Sequence, residues 1–126
     1  MKVLKMAKIL IIDDDEDISG MVSLRLSLRG HSIHSQLNGQ DGIKDALKTK
    51  PDLILLDMQM PQMKGEQVAD LLRTKGYDGC IVLLSAAPIP NHLHHILDIQ
   101  CDGYIAKPVE RNFEDQIEKY LETSHV

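Results

Sequence analysis

Three short apolar runs without polar residues divide the chain, at residues 9–12, 53–56 and 81–84. Strands that are covered by helices on both faces of a parallel sheet have this uninterrupted apolar pattern. Two weaker candidates, residues 31–36 and Gly103–Ala106, mix polar and apolar positions and are expected nearer the edges of the sheet. The pattern therefore predicts five strands, of which three are central.

Segments of helical period separate these runs. Asp17 is expected to cap a first helix that stops at Gly30, and Asn38 to cap a second that is ended by Pro51. A third helix runs from about Gly65 to Gly76, a fourth starts near Pro90 and Asn91, and a fifth has a clear apolar stripe. The apolar positions assigned to the five helices are, in order, Ile18, Met21, Val22, Leu24 and Leu28; Ile43, Ala46 and Leu47; Val68, Leu71 and Leu72; Leu93, Ile96 and Leu97; and Phe113, Ile117, Tyr120 and Leu121.

Five strand–helix units in alternation predict a doubly wound α/β sandwich with right-handed crossovers. The length of 126 residues fits one domain, residues 1–126, with a core over about residues 7–122. Residues 123–126 are expected to be frayed.

Composition narrows the classes of function. The net charge of -5 argues against direct binding of nucleic acid, which requires a basic face. No apolar run reaches the roughly 18 residues of a membrane span, and the N-terminus is a poor secretory signal. Cys80 and Cys101 lack metal-site spacing and are expected to be reduced thiols. A cytoplasmic protein without membrane contact is predicted.

Polar residues with distinctive chemistry end four of the predicted strands. Asp13 and Asp14 follow the first strand, Asp57 the third, Ser85 the fourth and Lys107 the fifth. In doubly wound sheets the ligand site lies beyond the carboxyl ends of the strands, so these side chains are expected to converge on one crevice. The three carboxylates suggest a pocket for a divalent cation, in which one of them carries out chemistry.

With these motifs in order, the chain from about Lys8 to Leu121 resembles the receiver domain of two-component response regulators. The motifs are the Asp13-Asp14 pair, the block Asp57-x-x-Met60-Pro61-x-x-x-Gly65, Ser85 followed by Ala86, and Lys107-Pro108. The resemblance implies a flavodoxin-like sheet of five parallel strands in the order 2-1-3-4-5.

The resemblance also implies roles for the site residues. Asp57 would be the phosphoacceptor, in a reaction that depends on Mg²⁺ or Mn²⁺. The cation would be bound directly by Asp14 and Asp57, by the backbone carbonyl of Gln59, and largely through water by Asp13. Lys107 and Ser85 would contact the phosphoryl oxygens, and charge neutralisation of this kind is what phosphoryl transfer requires.

Further residues match positions that switch or tune receivers. Tyr104 occupies the aromatic switch position, and its ring would turn inward as Ser85 moves toward the phosphoryl group. This change would remodel the surface of the fourth helix, fifth strand and fifth helix. The Lys107-Pro108 peptide bond is expected to be cis, a form nearly confined to bonds that precede proline.

Two more positions, Gln59 and Ala87, would tune hydrolysis of the acyl phosphate. Residues 88–90, Pro-Ile-Pro, depart from typical receivers and are expected to shorten or stiffen the entry to the fourth helix. Val109 is a minor departure, since a phenylalanine is common there.

The implied partners are a sensor histidine kinase or a histidine phosphotransfer protein as donor, and a downstream protein or an output domain as target. The resemblance implies a bacterial phosphorelay in which phosphorylation and dephosphorylation would be self-catalysed, so the domain is expected to be a signalling protein and not an enzyme. The 126 residues contain no attached DNA-binding or enzymatic region, so the chain is either a stand-alone regulator or part of a longer one.

Two alternatives stay open. A small phosphohydrolase of the haloacid dehalogenase type uses an Asp-x-Asp motif, which Asp13 and Asp15 mimic, although Asp17 stands where threonine or valine is expected. A receiver-like module that binds partners without phosphate is the other. A calcium-binding loop fails because Ile18 stands where glycine is needed.

Metal binding is a less favoured interpretation for two further groups of side chains. The residues His92, His94 and His95 are expected to face solvent or a partner, because no third ligand is evident near the His92 and His95 pair. Met58, Met60 and Met63 are expected to pack in loops and core.

Overall fold

The computed structural model describes residues 6–123, and within this range it leaves the side chains of residues 96–99 and 123 undescribed. The predicted inward positions Ile96 and Leu97 therefore lie outside the described side chains, as do residues 124–126 of the predicted frayed end. The elements alternate: β1 (Lys8–Ile12), α1 (Glu16–Leu28), β2 (Ser32–Gln36), α2 (Gly39–Thr49), β3 (Leu53–Asp57), α3 (Gly65–Thr74), β4 (Cys80–Ser85), α4 (Asn91–Gln100), β5 (Gly103–Ala106) and α5 (Phe113–Thr123).

The five strands form one parallel sheet in the order β2-β1-β3-β4-β5, which confirms the predicted fold class. In the register of the sheet, Ile9 of β1 is aligned with Ile33 on one side and Leu53 on the other, and Asp57 of β3 is aligned with Leu84. The two strands with mixed polarity, β2 and β5, are the edge strands, as predicted.

The central strands are apolar throughout because both faces of the sheet are covered. Ile54 and Leu56 pack in a cluster with residues of α2 and α3, whereas Leu53 and Leu55 pack on the opposite face with residues of α1 and α5. All four side chains are fully buried. Successive residues along a central strand therefore point into two different cores, one on each face of the sheet, and not alternately into core and solvent.

The predicted N-cap of α1 is wrong, and its predicted inner face is correct only for Val22, which is buried, and Ile18, which packs against the core. Its N-cap is Asp15 and not Asp17, since the extended Asp15 accepts hydrogen bonds from the backbone N–H groups of Asp17 and Ile18. The buried stripe runs through Ser19, Val22 and Leu26. Three residues assigned to the inner face are exposed instead: Met21, Leu24 and Leu28, at 43%, 61% and 78%. Both stripes have the same spacing, so periodicity alone could not separate them.

The other helices agree with the sequence in most respects. Asn38 caps α2 by accepting from the Asp41 N–H group, and Ile43 and Ala46 are buried, although Leu47 is 36% exposed. Val68 and Leu72 of α3 are buried, and so are Phe113, Ile117 and Leu121 of α5. The two cysteines, Cys80 and Cys101, are not joined in a disulfide. Among the described residues, no helix has the length and apolar character needed to cross a membrane.

Candidate functional site

The carboxyl ends of β1, β3, β4 and β5 bring the predicted site residues to one edge of the sheet. Asp13 is fully buried, Asp57 is 4% exposed and Ser85 is 8% exposed. Lys107 follows β5 and is tied to β4 by its backbone N–H group, which donates to the Ser85 carbonyl at 2.8 Å. Asp14 is exposed at the rim of the crevice. The topology of a parallel sheet is what places these five side chains together.

The centre of the site is an amine between two carboxylates. Lys107 Nζ donates to Asp13 Oδ2 at 2.9 Å and lies 3.3 Å from Asp57 Oδ1. Ligand oxygens of Asp13, Asp14 and Asp57 lie within 4.8 Å of one another. Three carboxylate oxygens at this spacing suit a hard divalent cation such as Mg²⁺, which prefers oxygen ligands and keeps several waters. Within the described part of the chain, Asp13, Asp14 and Asp57 form the group of three side chains whose ligand atoms lie close enough together to bind one metal ion.

The loop after β1 orients Asp13. The Asp15 N–H group donates to Asp13 Oδ1 at 2.9 Å, while the Asp15 side chain caps α1. The Ser19 hydroxyl contacts the Asp13 carbonyl at 3.4 Å. Asp15 was not among the predicted site residues. Its signal in the sequence is the acidic first turn that follows it, Glu16 and Asp17, which is typical of the residues after an N-cap.

The loop after β3 holds Asp57 closely. The Met58 N–H group donates to the Leu84 carbonyl at 2.9 Å, and the Gln59 N–H group donates to Asp57 Oδ1 at 3.2 Å. Gly65 closes the loop, with its N–H group 3.2 Å from the Met58 carbonyl oxygen. A Cβ atom at Gly65 would lie 2.8 Å from the backbone oxygen of Asp57 and from the Met58 Cα atom. This crowding explains why the position eight residues after Asp57 is glycine.

Burial raises the pKa of Asp57 to about 6. The hydrogen bond from the Gln59 N–H group lowers this pKa, the charge of Asp13 raises it, and the charge of Lys107 lowers it again. The pKa of Lys107 is also raised: burial opposes its charged form, but the hydrogen bond to Asp13 and the two carboxylate charges outweigh burial. The ionised Asp57 is therefore a destabilised anion that a cation would stabilise.

Replacing Asp57 with asparagine is expected to raise the stability of the metal-free protein at neutral pH. The fold favours the protonated carboxyl, because the pKa of Asp57 rises from about 3.9 in the unfolded chain to about 6 in the fold. The protonated carboxyl therefore makes its full contribution to the unfolding free energy of the wild type below about pH 4. That contribution is lost as the pH rises through about 6. In EDTA, the gain in unfolding free energy of Asp57→Asn over wild type should therefore grow by about 2 kcal/mol between about pH 4.5 and 7.

Urea unfolding across this pH range measures the gain in unfolding free energy. Asp78→Asn makes the same change of a carboxylate to an amide at an exposed position and is the matched control. A gain from Asp57→Asn that is the same at both pH values would contradict the raised pKa of Asp57.

The residues predicted to switch or to tune the site lie around its rim. The Ser85 hydroxyl donates to the Ala87 carbonyl. Tyr104 is 54% exposed, and its ring meets the edge of the His94 ring with centroids 6.2 Å apart. Gln59 and Ala87 are exposed. In this structure the tyrosine thus points away from the sheet and the serine hydroxyl is engaged outside the acidic cluster.

The segment that departs from typical receivers leads directly into α4. Ile89 is buried among the residues that cover the sheet, and the Leu93 N–H group donates to the Pro90 carbonyl at 2.9 Å. A ring nitrogen of His94 lies 3.0 Å from the Ile89 carbonyl oxygen. The peptide bond between Lys107 and Pro108 is cis, which is the form that the resemblance implies. Met58 and Met60 are buried in the core, as predicted, with Met63 packed against it.

Comparison with known proteins agrees with this geometry. The family model for the response regulator receiver domain matches residues 9–119. Among curated proteins, the chain is 34% identical over 107 residues to the DNA-binding dual master transcriptional regulator RpaA of Synechocystis, a match that covers 83% of this chain and 44% of RpaA. The chain therefore spans less than half the length of this relative.

Solved receiver structures share the fold of this chain. A response regulator receiver domain protein from Methanospirillum hungatei superposes with a TM-score of 0.87 at 21% identity, covering 95% of this chain and 97% of that one. The response regulator TrrA of Thermotoga maritima, in complex with Mg²⁺ and BeF, gives a TM-score of 0.79 at 29% identity, covering 91% and 99%. Receiver domains are signalling domains of two-component systems that carry a phosphorylatable aspartate. From its sequence match, its fold and its strand-end residues, this chain belongs to the response regulator receiver domain family.

Proposed function

We propose that this chain accepts a phosphoryl group on Asp57 from the phosphohistidine of a sensor histidine kinase or a histidine phosphotransfer protein. The observation that carries the proposal is the buried Asp57 carboxylate at the carboxyl end of β3, with Lys107 Nζ 3.3 Å away and two more carboxylates beside it. A nucleophile, a fixed cation and a cluster of oxygen ligands are the parts that phosphoryl transfer to a carboxylate needs.

In the proposed step an Asp57 oxygen attacks the phosphorus atom and forms an O–P bond. The P–N bond to the donor histidine breaks, its electron pair returns to the imidazole nitrogen, and that nitrogen takes up a proton from solvent. Charge on the phosphoryl oxygens is met by Lys107, whose ammonium already lies beside the Asp57 carboxylate. Ser85 donates to a second phosphoryl oxygen once its hydroxyl leaves the Ala87 carbonyl.

The acidic cluster supports Mg²⁺, or Mn²⁺, as the cofactor. The three carboxylates have the spacing of a metal site, and the related TrrA was solved with Mg²⁺ and BeF. Asp14 and Asp57 would hold the ion directly, with the Gln59 backbone carbonyl, and Asp13 would act largely through water because Lys107 already engages it. When bound, the ion neutralises charge on the phosphoryl oxygens and makes the phosphorus more electrophilic.

Tyr104 would transmit the effect of phosphorylation from the site to the protein surface. Its exposed ring is free of the sheet in this structure, and inward rotation behind a displaced Ser85 would alter the α4, β5 and α5 surface. That surface would contact a downstream protein or an output domain rather than nucleic acid. Gln59 and Ala87, at the rim, would set how fast water reaches the acyl phosphate. We further propose a cytoplasmic setting and a single receiver domain of residues 1–126 with its core over about 7–122; the family match over residues 9–119 supports the domain, and the relatives from Synechocystis and Bacillus subtilis support a bacterial origin.

Incubation with acetyl phosphate and Mg²⁺ is expected to add the mass of one phosphoryl group to the protein, as seen by intact-mass spectrometry. Excess EDTA should suppress the adduct, because the acidic cluster then lacks its counter-charge. Absence of the adduct with Mg²⁺ would overturn the proposal. Steady, multiple-turnover hydrolysis of phosphomonoesters that is lost in Asp13→Asn and kept in Asp57→Asn would instead favour the dehalogenase-type reaction. Partner binding that ignores phosphorylation would favour the phosphate-independent module.

A further inference from the structure

Arg25, in the third turn of α1, reaches across to the loop between β5 and α5. Its Nη2 group donates to the backbone carbonyls of Glu110 at 2.8 Å and Arg111 at 3.2 Å. Its Nε group donates to the Glu114 carboxylate at 3.1 Å, and a second contact joins Nη2 to the other oxygen of that carboxylate. The guanidinium also lies 5.5 Å from the centre of the Phe113 ring. One side chain thus engages the end of the loop and the first turn of α5.

Each of the two segments that Arg25 joins is close in the chain to one partner of the central ion pair. The loop that precedes α1 begins with Asp13, and the loop that Arg25 contacts begins at Lys107. Lys107 Nζ donates to Asp13 Oδ2 at 2.9 Å. The backbone N–H groups of Asp13 and Lys107 donate to the Gln36 and Ser85 carbonyls, so a shift of α1 against the β5–α5 loop would act on the orientation of these two side chains rather than on their backbone.

The loop from Lys107 to α5 is held at both ends. At its start, the Lys107 N–H group donates to the Ser85 carbonyl at 2.8 Å. At its end, the Glu110 carbonyl accepts from the Phe113 N–H group at 3.2 Å as well as from Arg25, and the Phe113 side chain is fully buried. The contacts from Arg25 tie this end of the loop to a different element, α1.

The contact is charged as well as directional. The hydrogen bond from Arg25 lowers the pKa of Glu114, and the same bond raises the pKa of Arg25, so both groups stay ionised across the neutral range. A planar guanidinium can serve two carbonyls and one carboxylate at once, because its N–H groups are fixed in a fork. A lysine ammonium, as a single point charge, cannot span the same set of acceptors.

We propose that Arg25 is a positioning residue for the phosphorylation site: it ties α1 to the β5–α5 loop and so fixes the Lys107 ammonium relative to Asp13 and Asp57. The proposal rests on the proposed role of Lys107 in phosphoryl transfer. Arg25 contacts neither the phosphoacceptor nor the predicted metal ligands, and its effect passes through Lys107.

Arg29, the residue that caps the C-terminus of α1 one turn beyond Arg25, provides a matched control. Its guanidinium also bridges α1 to α5, donating to Glu118 at 2.8 Å and to Asp115 at 3.2 Å. Both of these partners lie within α5, beyond the loop that Arg25 holds. Loss of Arg29 therefore weakens the docking of α1 on α5 without releasing the loop that leads from Lys107.

The test measures initial rates of adduct formation with acetyl phosphate and saturating Mg²⁺ by intact-mass spectrometry. Arg25→Gln is expected to react about fivefold more slowly than wild type, and Arg25→Lys more slowly than wild type as well, while Arg29→Gln stays within about twofold. In a Lys107→Met background, adding Arg25→Gln should slow the reaction no further, since the group that Arg25 positions is already absent.

Circular dichroism melting of each variant fixes an assay temperature below the onset of unfolding, so that a slow rate reports on the folded protein. Equal slowing by Arg29→Gln, or full additivity of Arg25→Gln and Lys107→Met, would overturn the positioning role. A wild type that reacts, with Lys107→Met slow and both Arg25 variants unchanged, would overturn this inference alone. A wild type that forms no adduct would overturn the proposed function and this inference with it.

Discussion

The Asp57→Asn variant is expected to form no phosphoryl adduct under conditions in which the wild type is labelled. An amide oxygen is a far weaker nucleophile than a carboxylate, and removal of a nucleophile costs roughly 10³-fold or more in covalent mechanisms. Asparagine has almost the same shape as aspartate, and Lys107 keeps its hydrogen bond to Asp13, so the fold should be retained. Intact-mass spectrometry after incubation with acetyl phosphate and Mg²⁺ measures the loss.

The neighbouring acids make this experiment specific. Asp14→Asn removes a predicted metal ligand and is expected to slow labelling, with labelling recovered in part at high Mg²⁺, because Asp57 is still present. Asp78→Asn, at an exposed position, should label like the wild type. An adduct of equal yield in Asp57→Asn would show that another side chain is the acceptor and would refute the assignment of Asp57.

The strand-end residues could be predicted because each follows an apolar run whose burial is clear from the sequence. Asp57 follows Leu53 to Leu56 and Ser85 follows Ile81 to Leu84, so their places at the carboxyl edge depend only on strand identity. Once the strands are parallel, the topology brings these ends together. No knowledge of side-chain packing was needed for this part of the site.

Features that depend on helix rotation could not be predicted in the same way. In α1 the stripe of Met21, Leu24 and Leu28 is as regular as the stripe of Ser19, Val22 and Leu26, and only packing against the sheet selects the second. Two of the three exposed residues are leucines, while a serine is buried, which opposes the usual preference of these residues.

Contacts between segments that are distant in the chain are still harder to predict from the sequence. Arg25 and Glu110 are 85 residues apart, and nothing in the local pattern around either indicates that they meet. Gly65 is an intermediate case: the motif that begins at Asp57 includes it, but the 2.8 Å approach of a Cβ atom at this position to the Asp57 backbone oxygen depends on the three-dimensional fold.

Replacing Lys107 with methionine is expected to slow phosphorylation of Asp57 by about 10²-fold, comparable to the loss of one oxyanion-stabilising donor. The Lys107 side chain is 11% exposed, so methionine can keep most of the packing of the aliphatic stem while it removes the ammonium group. The fully buried Asp13 then loses its ion-pair partner, and Asp57 loses the nearby positive charge. Initial rates with acetyl phosphate and saturating Mg²⁺ measure the slowing.

The same substitution distinguishes the effects of the two cations proposed for the site, which are the Lys107 ammonium and Mg²⁺. In EDTA, Lys107→Met should unfold at a lower temperature than the wild type, because two buried carboxylates face each other without compensation. Mg²⁺ should stabilise Lys107→Met more than the wild type, since the ion no longer competes with the ammonium for Asp13 and Asp57. Lys44→Met, at an exposed site on α2, should change neither the rate nor the response to Mg²⁺. A Lys107→Met protein that is phosphorylated at the wild-type rate would show that the lysine holds the acids apart at rest and takes no part in phosphoryl transfer.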